Sequence, residues 1–149
     1  MIVAIDTNIL VYAAEASGDH QKHQRSASVI RGLATNGRGI LPLQALTEFY
    51  AVAVRKDRVL SAGASAFVEN LAEIMPVHAA AQADLIDAMR VHREHNIQFW
   101  DGLLWSVSRR AGARYLLSED FQDGRELEGV RFVNPFAGSN AALIDQLTE

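Results

Sequence analysis

The feature that most constrains the fold of this chain is a regular alternation of short apolar strands with amphipathic helices. The first strand is the β-branched run Ile2 to Ile5, which is typical of a strand buried on both faces. Helical segments follow in which apolar residues recur three and four positions apart, as in Gln44 to Lys56. Because strands that alternate with helices favour a parallel sheet covered by helices, the sequence predicts an α/β fold.

The predicted elements cover nearly the whole chain. The predicted strands are Ile2 to Ile5, Ile40 to Pro42, Ile74 to Val77, Arg114 to Leu117 and Val130 to Val133. The predicted helices are Ile9 to Ala13, Gln21 to Ala34, Gln44 to Lys56, Ala62 to Ala72, Ala79 to His95 and Trp100 to Ala111. Ligands of open α/β sheets bind outside the carboxyl ends of the strands, so the residues that follow the strands are the first candidates for a site.

Composition restricts the class of protein further. With 149 residues, of which 49% are hydrophobic and 21% charged, the chain is predicted to form one compact domain. The absence of cysteine excludes a disulfide framework, a thiolate zinc site and a thiol nucleophile. The first residues lack the basic segment of a secretory signal, and the longest apolar runs, such as Ile9 to Ala14, are too short to span a bilayer. We therefore expect a cytoplasmic protein with no membrane partner.

Four acidic residues are predicted to converge at the carboxyl edge of the sheet. Asp6 directly follows the first strand, and Asp120 follows the strand that ends at Leu117. Asp101 and Glu48 lie near the starts of helices, whose N-termini face the same edge. Carboxylates about 4 Å apart repel by roughly 4 kcal/mol at an effective dielectric near 20, so a positive group is expected among them. Oxygen ligands without cysteine suit Mg²⁺ or Mn²⁺, which assist phosphoester hydrolysis.

Helix capping is the alternative explanation for these acids, because an acid after a strand is often a helix N-cap. Asp6 could cap the helix that begins near Ile9. Capping explains Glu48 least well, since this residue lies beyond the first turn of its helix among apolar neighbours.

Four short motifs give the chain a recognisable pattern, and a fifth closes it. In this order and spacing they resemble PIN-domain ribonucleases, in particular the VapC toxins of bacterial VapBC toxin–antitoxin pairs. The resemblance runs from about Met1 to Phe136. Its motifs are Val3-Ala4-Ile5-Asp6-Thr7-Asn8-Ile9-Leu10, Leu46-Thr47-Glu48-Phe49, Trp100-Asp101-Gly102-Leu103-Leu104, Leu117-Ser118-Glu119-Asp120 and Val133-Asn134-Pro135-Phe136.

The resemblance implies a flavodoxin-like three-layer sandwich around a five-stranded parallel sheet. Residues 1–136 would form a nuclease domain, and residues 137–149 a C-terminal extension that could hold a short helix. The implied activity is metal-dependent endoribonuclease cleavage of single-stranded RNA. The implied partners are a second copy of the chain, forming a homodimer, and an antitoxin whose C-terminal segment covers the site. The residues that match the family's Mg²⁺ or Mn²⁺ ligands are Asp6, Glu48, Asp101 and Asp120, with Thr7 and Ser118 as supporting hydroxyls.

Some positions leave alternatives open. Glu119 and Asp123 flank Asp120, which is the predicted ligand, with Asp123 as an accessory candidate. Gly102 stands where such helices commonly have Ala, at a cost of roughly 0.5–1 kcal/mol of helix stability. A haloacid-dehalogenase-like phosphatase would need a second Asp where this chain has Asn8, and neither it nor a receiver domain finds a suitable Lys after a late strand. The remaining alternative is a non-catalytic PIN-fold module that binds RNA or a partner without cutting.

The sequence also predicts roles for charged and aromatic residues outside the motifs. The net charge of −4 argues against binding nucleic acid through overall basicity. Trp105 could pack near the acids or anchor a dimer. The candidates for contacts with RNA phosphates are Arg90, Arg93, Arg109 and Arg110, with ordinary solvation as the alternative. The pairs predicted to be solvated are His20 with His23, His92 with His95, and Asp84 with Asp87.

Overall fold

A central parallel sheet covered by helices organises the molecule. The computed structural model describes residues 1–56 and 61–149. The strands are β1 (Ile2–Ile5), β2 (Gly39–Pro42), β3 (Val77–His78), β4 (Ala113–Leu117), β5 (Glu126–Leu127) and β6 (Val130–Val133). The helices are α1 (Thr7–Ala14), α2 (His20–Thr35), α3 (Leu43–Lys56), α4 (Ser61–Ile74), α5 (Gln82–His95), α6 (Phe99–Arg110) and α7 (Ala141–Thr148). The predicted α/β class is confirmed.

The sheet has six strands rather than the predicted five, in the order β3-β2-β1-β4-β6-β5. The additional strand, β5, pairs antiparallel with β6, while the other pairings are parallel. Glu128 and Gly129 connect β5 to β6 and have φ angles of 47° and 86°. A two-residue connection with positive φ at both positions suits the twist of a hairpin. The sequence pattern does not predict this hairpin, because β5 is only two residues long.

One predicted strand begins too early. Residues 74–77 were expected to be extended, but α4 continues to Ile74 and the amide of Met75 still bonds to the carbonyl of Leu71. The strand β3 therefore starts only at Val77, after Pro76, whose ring cannot donate a backbone hydrogen bond.

The core lies on both faces of β1, as the uninterrupted apolar sequence of that strand predicts. Val3, Ala4 and Ile5 are fully buried. Leu116 and Leu117 on the neighbouring strand β4 are fully buried as well. Because the strands at the centre of the sheet are covered on both sides, their carboxyl ends offer the open positions at which polar residues can meet.

The C-terminal residues form the helix predicted there, and it packs on α2. Ile144 and Leu147 of α7 are buried. The side-chain amide of Asn36 donates to the carbonyl oxygen of Leu147 over 2.9 Å. A Cβ added to Gly32 would lie 2.6 Å from the Cβ of Thr148, so the glycine allows the two helices to approach closely. Helix α7 is thus part of the packed structure.

Gly102 has a similar packing role between α5 and α6. A Cβ at this position would lie 3.1 Å from Val91 Cγ2 and 3.3 Å from the carbonyl oxygen of Ala88. The absence of a side chain at this position therefore allows α5 and α6 to lie against each other. In the described ranges, no helix has both the length and the apolar character that crossing a bilayer would require.

Candidate active site

The adjacent carboxyl ends of β1 and β4 bring Asp6 and Ser118 together. Ile5 pairs with Leu117 in the sheet, and the amide of Asp6 donates to the carbonyl oxygen of Leu117 over 3.0 Å. The hydroxyl of Ser118 then donates to Asp6 Oδ2 over 2.7 Å. The amide of Thr7 donates to Asp6 Oδ1 over 2.6 Å, so Asp6 is both the N-cap of α1 and part of the site. Capping and function are therefore not exclusive explanations for this residue.

Asn8 is a site residue that the sequence analysis did not single out. Its side-chain nitrogen lies 3.0 Å from Ser118 Oγ, 3.1 Å from Asp120 Oδ2 and 3.4 Å from Asp6 Oδ2. The backbone amide of Asp120 also donates to Ser118 Oγ, over 3.1 Å. Asn8 and Ser118 together hold the two carboxylates at fixed positions. The available signal was the place of Asn8 two residues after Asp6, at the start of the first helix.

Glu48 reaches the same place from the second turn of α3. The hydroxyl of Thr7 lies 3.3 Å from Glu48 Oε2 and 3.1 Å from the carbonyl oxygen of Ala45. The side-chain nitrogen of Gln44 donates to Glu48 Oε1 over 3.0 Å and to the carbonyl oxygen of Trp100 over 3.0 Å. These contacts connect α1, α3 and α6 around the carboxylate of Glu48.

Asp101 is presented by the first turn of α6. The side chain of Gln98 caps this helix by accepting the amide hydrogen of Asp101 over 3.1 Å. Burial raises the pKa of the Asp101 carboxyl, and the nearby charges of Asp120 and Glu48 raise it further. The cap thus fixes the backbone of an acid that lies close to other acids.

Burial and repulsion also act on Asp6, which is only 7% exposed. Burial raises the pKa of Asp6 to about 6, against the hydrogen bonds from Ser118 and Thr7, which lower it. The negative charges of Asp101 and Glu48 add to the increase. The site is therefore unfavourable for its own ionised carboxylates at neutral pH, and a bound cation would relieve this repulsion.

The four predicted acids line one cavity at the carboxyl edge of the sheet. They come from four separate segments of the chain, which the fold brings together. The lining residues are Asp6, Thr7, Asn8, Val11, Tyr12, Glu15, Glu48, Val52, Asp101 and Asp120.

The donor set of this cavity fits a hard divalent cation. No three histidine or acidic side chains among residues 1–56 and 61–149 are positioned to hold a metal ion by themselves. Mg²⁺ needs no such cage, since proteins often bind it through one or two carboxylates while it keeps several waters. Carboxylate oxygens suit such an ion, and it would relieve the repulsion between neighbouring acids that adds to the burial-raised pKa of Asp6 and of Asp101.

The acids next to Asp120 have other roles. Glu119 accepts a hydrogen bond from the hydroxyl of Tyr12 and forms an ion pair with Lys22 at 2.8 Å. The carboxylate of Asp123 accepts from the amide of Asn134 over 2.8 Å and from the side chain of Asn140 over 2.9 Å. Of these three neighbouring acids, Asp120 is the one that lines the cavity. The geometry thus favours Asp120 over its neighbours and gives Asp123 a role in anchoring the C-terminal segment.

The prediction that Asp84 is solvated was wrong. Asp84 is 1% exposed and accepts hydrogen bonds from the guanidinium of Arg110, the hydroxyl of Ser106 and the amide of Ala81. It occupies the first turn of α5, where a carboxylate can cap the helix while it pairs with α6.

The arginines proposed for phosphate contacts serve the protein's own acids in three of four cases. Arg110 pairs with Asp84, while Arg90 and Arg109 approach Glu128 at 2.9 Å and 3.9 Å. Arg109 and Arg110 end the helix whose first turn carries Asp101, so they lie at its opposite end. These three arginines are therefore not the cations of the acidic cavity.

Trp105 belongs to the core, because it is fully buried and its indole N–H donates to the carbonyl oxygen of Leu127. His23 and His92 each contact a backbone carbonyl oxygen through Nδ1, that of Tyr12 and that of Ile97. None of these three residues lines the acidic cavity.

The sheet and the cavity define an α/β protein with an acidic cavity at the strand ends. Residues 3–122 match the PIN domain, and the chain belongs to this family. The resemblance found in the motifs is confirmed at the level of the family. A comparison with curated protein sequences found no match.

Several solved structures share the fold. VapC20 of Mycobacterium tuberculosis, described as a toxin that cleaves the sarcin-ricin loop, is 18% identical with a TM-score of 0.61 over 79% of this chain and 91% of its own. VapBC2 of Rickettsia felis, bound to a DNA fragment from its promoter, is 16% identical with a TM-score of 0.67 over 89% and 97%. PAE2754 of Pyrobaculum aerophilum is 17% identical with a TM-score of 0.63 over 99% and 95%. At these identities the similarity establishes the fold.

Proposed function

We propose that this protein is a metal-dependent endoribonuclease that acts as the toxin of a toxin–antitoxin pair. The observation that carries the proposal is the convergence of Asp6, Glu48, Asp101 and Asp120 on one cavity. Burial raises the pKa of Asp6 and of Asp101, and the charges of the neighbouring acids raise both further, which opposes folding at neutral pH. Ionisable side chains that lie in a cavity and have shifted pKa values are candidates for functional residues.

The carboxylates of Asp6, Asp101 and Asp120 are the proposed ligands of Mg²⁺ or Mn²⁺, with bound water completing the contacts that they do not make directly. Glu48 would bind a second ion, directly or through water. A divalent cation held there would polarise the phosphate and lower the pKa of water near the scissile bond. Ser118 and Asn8 hold Asp6 and Asp120 in place, and Thr7 does the same for Glu48. These contacts fix the acids before substrate arrives, which favours catalysis.

RNA and the toxin class are proposed because similar structures include VapC20, described as a toxin that cleaves the sarcin-ricin loop, and a VapBC pair. A homodimer is part of the same proposal and is tested by sedimentation of the purified protein. The cytoplasm is the compartment this function requires, since the RNA and a newly made antitoxin are both available there.

An apolar groove beside the acids is the proposed binding place for the antitoxin. Val11, Glu15 and Val52 line both this groove and the acidic cavity. An antitoxin segment with an apolar face could therefore fill the groove and reach the carboxylates with a basic side chain. The other residues of the groove include Phe49, Ala53 and Phe67.

The antitoxin proposal is tested by coexpressing the product of a small reading frame adjacent to this gene. A stable complex that blocks cleavage would support the toxin assignment. Absence of such a reading frame, or a product that does not bind, would leave a nuclease without this regulation.

The activity is tested with purified protein and a panel of structured and single-stranded RNAs in Mg²⁺, Mn²⁺ or EDTA, beside Asp6→Asn. Metal-dependent cutting that the variant loses would establish the nuclease. If the wild-type protein binds RNA but neither binds metal nor cuts, the non-catalytic binding module replaces the enzyme.

Asn8→Ala is expected to reduce cleavage about 10- to 100-fold while the protein stays folded. The variant removes the amide that bridges Asp6 and Asp120, and loss of a residue that orients metal ligands typically has an effect of this size. Cleavage rates against Mg²⁺ concentration provide the measurement, and Asn36→Ala, in a different part of the chain, serves as the control. Unchanged metal dependence in Asn8→Ala would contradict the positioning role.

A further inference from the structure

A large aromatic side chain stands exposed directly beside the acids. Trp100 precedes Asp101 in the first turn of α6 and is 55% exposed. The chain has one other tryptophan, Trp105, which is fully buried and hydrogen-bonded in the core. Trp100 therefore presents an apolar surface to solvent that the core does not require.

The backbone of Trp100 is fixed relative to the acids. Its carbonyl oxygen accepts from Gln44, whose same nitrogen donates to Glu48. Its ring contacts the ring of Phe99 edge to face, with centroids 5.2 Å apart. The indole is thus attached to a rigid part of the site.

Trp100 lines an apolar groove that adjoins the acidic cavity. Leu43 and Leu103 contribute apolar surface to this groove, and Glu48 lines both it and the acidic cavity. A chain of nucleotides with one phosphate at the acids would therefore have a neighbouring base within reach of the groove.

The charges of the protein indicate what could hold such a substrate. The chain carries a net charge of −4, and Arg90, Arg109 and Arg110 are paired with its own acids. These three arginines are therefore not free to attract phosphates, and contacts with the bases become more important for affinity. Stacking of bases on aromatic rings contributes to single-strand binding without regard to sequence.

We propose that Trp100 is the stacking platform for a base of single-stranded RNA next to the scissile phosphate, which makes it a substrate-binding residue of the proposed nuclease. The proposal rests on the proposed function. Single-stranded RNA is the substrate form it requires, because bases of a duplex are already stacked on each other.

The experiment compares wild type with Trp100→Ala, Trp100→Phe and Ile86→Ala. Ile86 is a control because it is a similarly exposed apolar residue, 54% against 55%, on another helix. A single-stranded 12-mer that the wild type cuts is first selected from a random RNA pool. Steady-state cleavage of this 12-mer is then measured for each protein. Versions with one abasic nucleotide on either side of the cut report the base contact.

Trp100→Ala is expected to raise KM about 10-fold or more, with a smaller effect on kcat, while Trp100→Phe and Ile86→Ala stay within about 3-fold of wild type. An abasic nucleotide on one side should raise the KM of the wild type by a similar factor and have little further effect on Trp100→Ala. If Trp100 had only a structural role, Trp100→Ala would still show the increase in KM that the abasic nucleotide causes in the wild type.

Three results would overturn the proposal. Wild-type KM in Trp100→Ala, or an abasic penalty that persists in it, would show that no base stacks on this ring. Activity of Trp100→Ala that returns at high protein concentration, together with dissociation in sedimentation, would make Trp100 a contact between two copies. A wild-type protein that cuts no member of the RNA pool with Mg²⁺ or Mn²⁺ would overturn the proposed function, and the stacking proposal with it.

Discussion

Asp6→Asn is expected to abolish RNA cleavage and, at the same time, to stabilise the metal-free protein at neutral pH. The substitution keeps the shape of the side chain but removes a charge that would bind the cation. It also removes a carboxylate whose pKa is raised to about 6 by burial and by the charges of Asp101 and Glu48. Activity and stability should therefore change in opposite directions.

The pH dependence follows from the same pKa. In the unfolded chain the pKa of Asp6 is near its ordinary value of 3.8, whereas in the folded protein it is about 6. The folded state thus binds more protons between these values, and stability falls as the pH rises through this interval. The difference corresponds to a loss of at most about 3 kcal/mol above pH 6. Asp6→Asn avoids this loss, but its amide nitrogen would face the side-chain donor of Asn8, so the net gain in stability is smaller.

Urea denaturation at pH 4 and pH 7.5, with EDTA and with Mg²⁺, measures these effects. The free energy of unfolding of Asp6→Asn should exceed that of wild type by about 1–3 kcal/mol at pH 7.5 in EDTA, and by less at pH 4. Mg²⁺ should stabilise wild type more than the variant, since it binds the folded state through the carboxylates. Asp87→Asn is the charge-matched control on the surface. Full cleavage by Asp6→Asn, or a variant less stable than wild type at pH 7.5 in EDTA, would contradict the assignment.

Asp84→Asn is expected to destabilise the protein by about 2–3 kcal/mol at neutral pH. The buried carboxylate accepts hydrogen bonds from Ala81, Ser106 and Arg110, and an amide nitrogen in its place would face donors. The expected loss is below that of a fully buried ion pair, because the side chain of Arg110 is 44% exposed and solvent screens it.

Its pH dependence is opposite to that of Asp6. Burial raises the pKa of Asp84, but the hydrogen bonds from Arg110, Ala81 and Ser106 outweigh burial and hold the pKa below its usual value. The stability from this carboxylate is present above the unfolded-state value of 3.8 and is lost as the pH falls through the lower folded-state value.

Thermal and urea denaturation of Asp84→Asn, beside Asp87→Asn one turn further along α5, provide the measurement. The Asp87 variant should change stability by less than about 0.5 kcal/mol, since its partner Arg90 forms a surface pair. The difference in free energy of unfolding between wild type and Asp84→Asn should decrease as the pH falls below 4. Equal stability of the two variants at pH 7 would show that the buried pair contributes nothing.

Local sequence pattern predicted the central strands and the acids that follow them. The run Ile2–Ile5 is apolar throughout because both faces of β1 are covered, and Asp6 marks the point where the strand leaves the core. The short strands were harder to predict. Strand β5 has two residues, too few for a periodic pattern, and Ile74 belongs to a helix although its apolar neighbours also fit a strand.

The sequence pattern does not predict which charged side chains pair with each other. The helical periodicity of α5 does not distinguish Asp84 from a solvated polar residue. Only the close approach of α5 and α6 at Gly102 brings its carboxylate within hydrogen-bond distance of Arg110. The same holds for the arginines expected to meet RNA, since Glu128 lies in a hairpin that the sequence analysis did not include. Asn8 is a site residue because Asp120, distant in sequence, comes within hydrogen-bond reach.

By itself, the sequence determined the α/β class and the edge of the sheet at which the acids meet, because parallel strands all end at that edge and the acids follow strands or begin helices. Only the tertiary structure decided which neighbouring acid lines the cavity. Tyr12 and Lys22 hold Glu119, and Asn134 and Asn140 hold Asp123, whereas Asp120 lines the cavity. The physical reason is that hydrogen bonds and ion pairs act over about 3–4 Å, and such distances between remote segments exist only after the chain has packed.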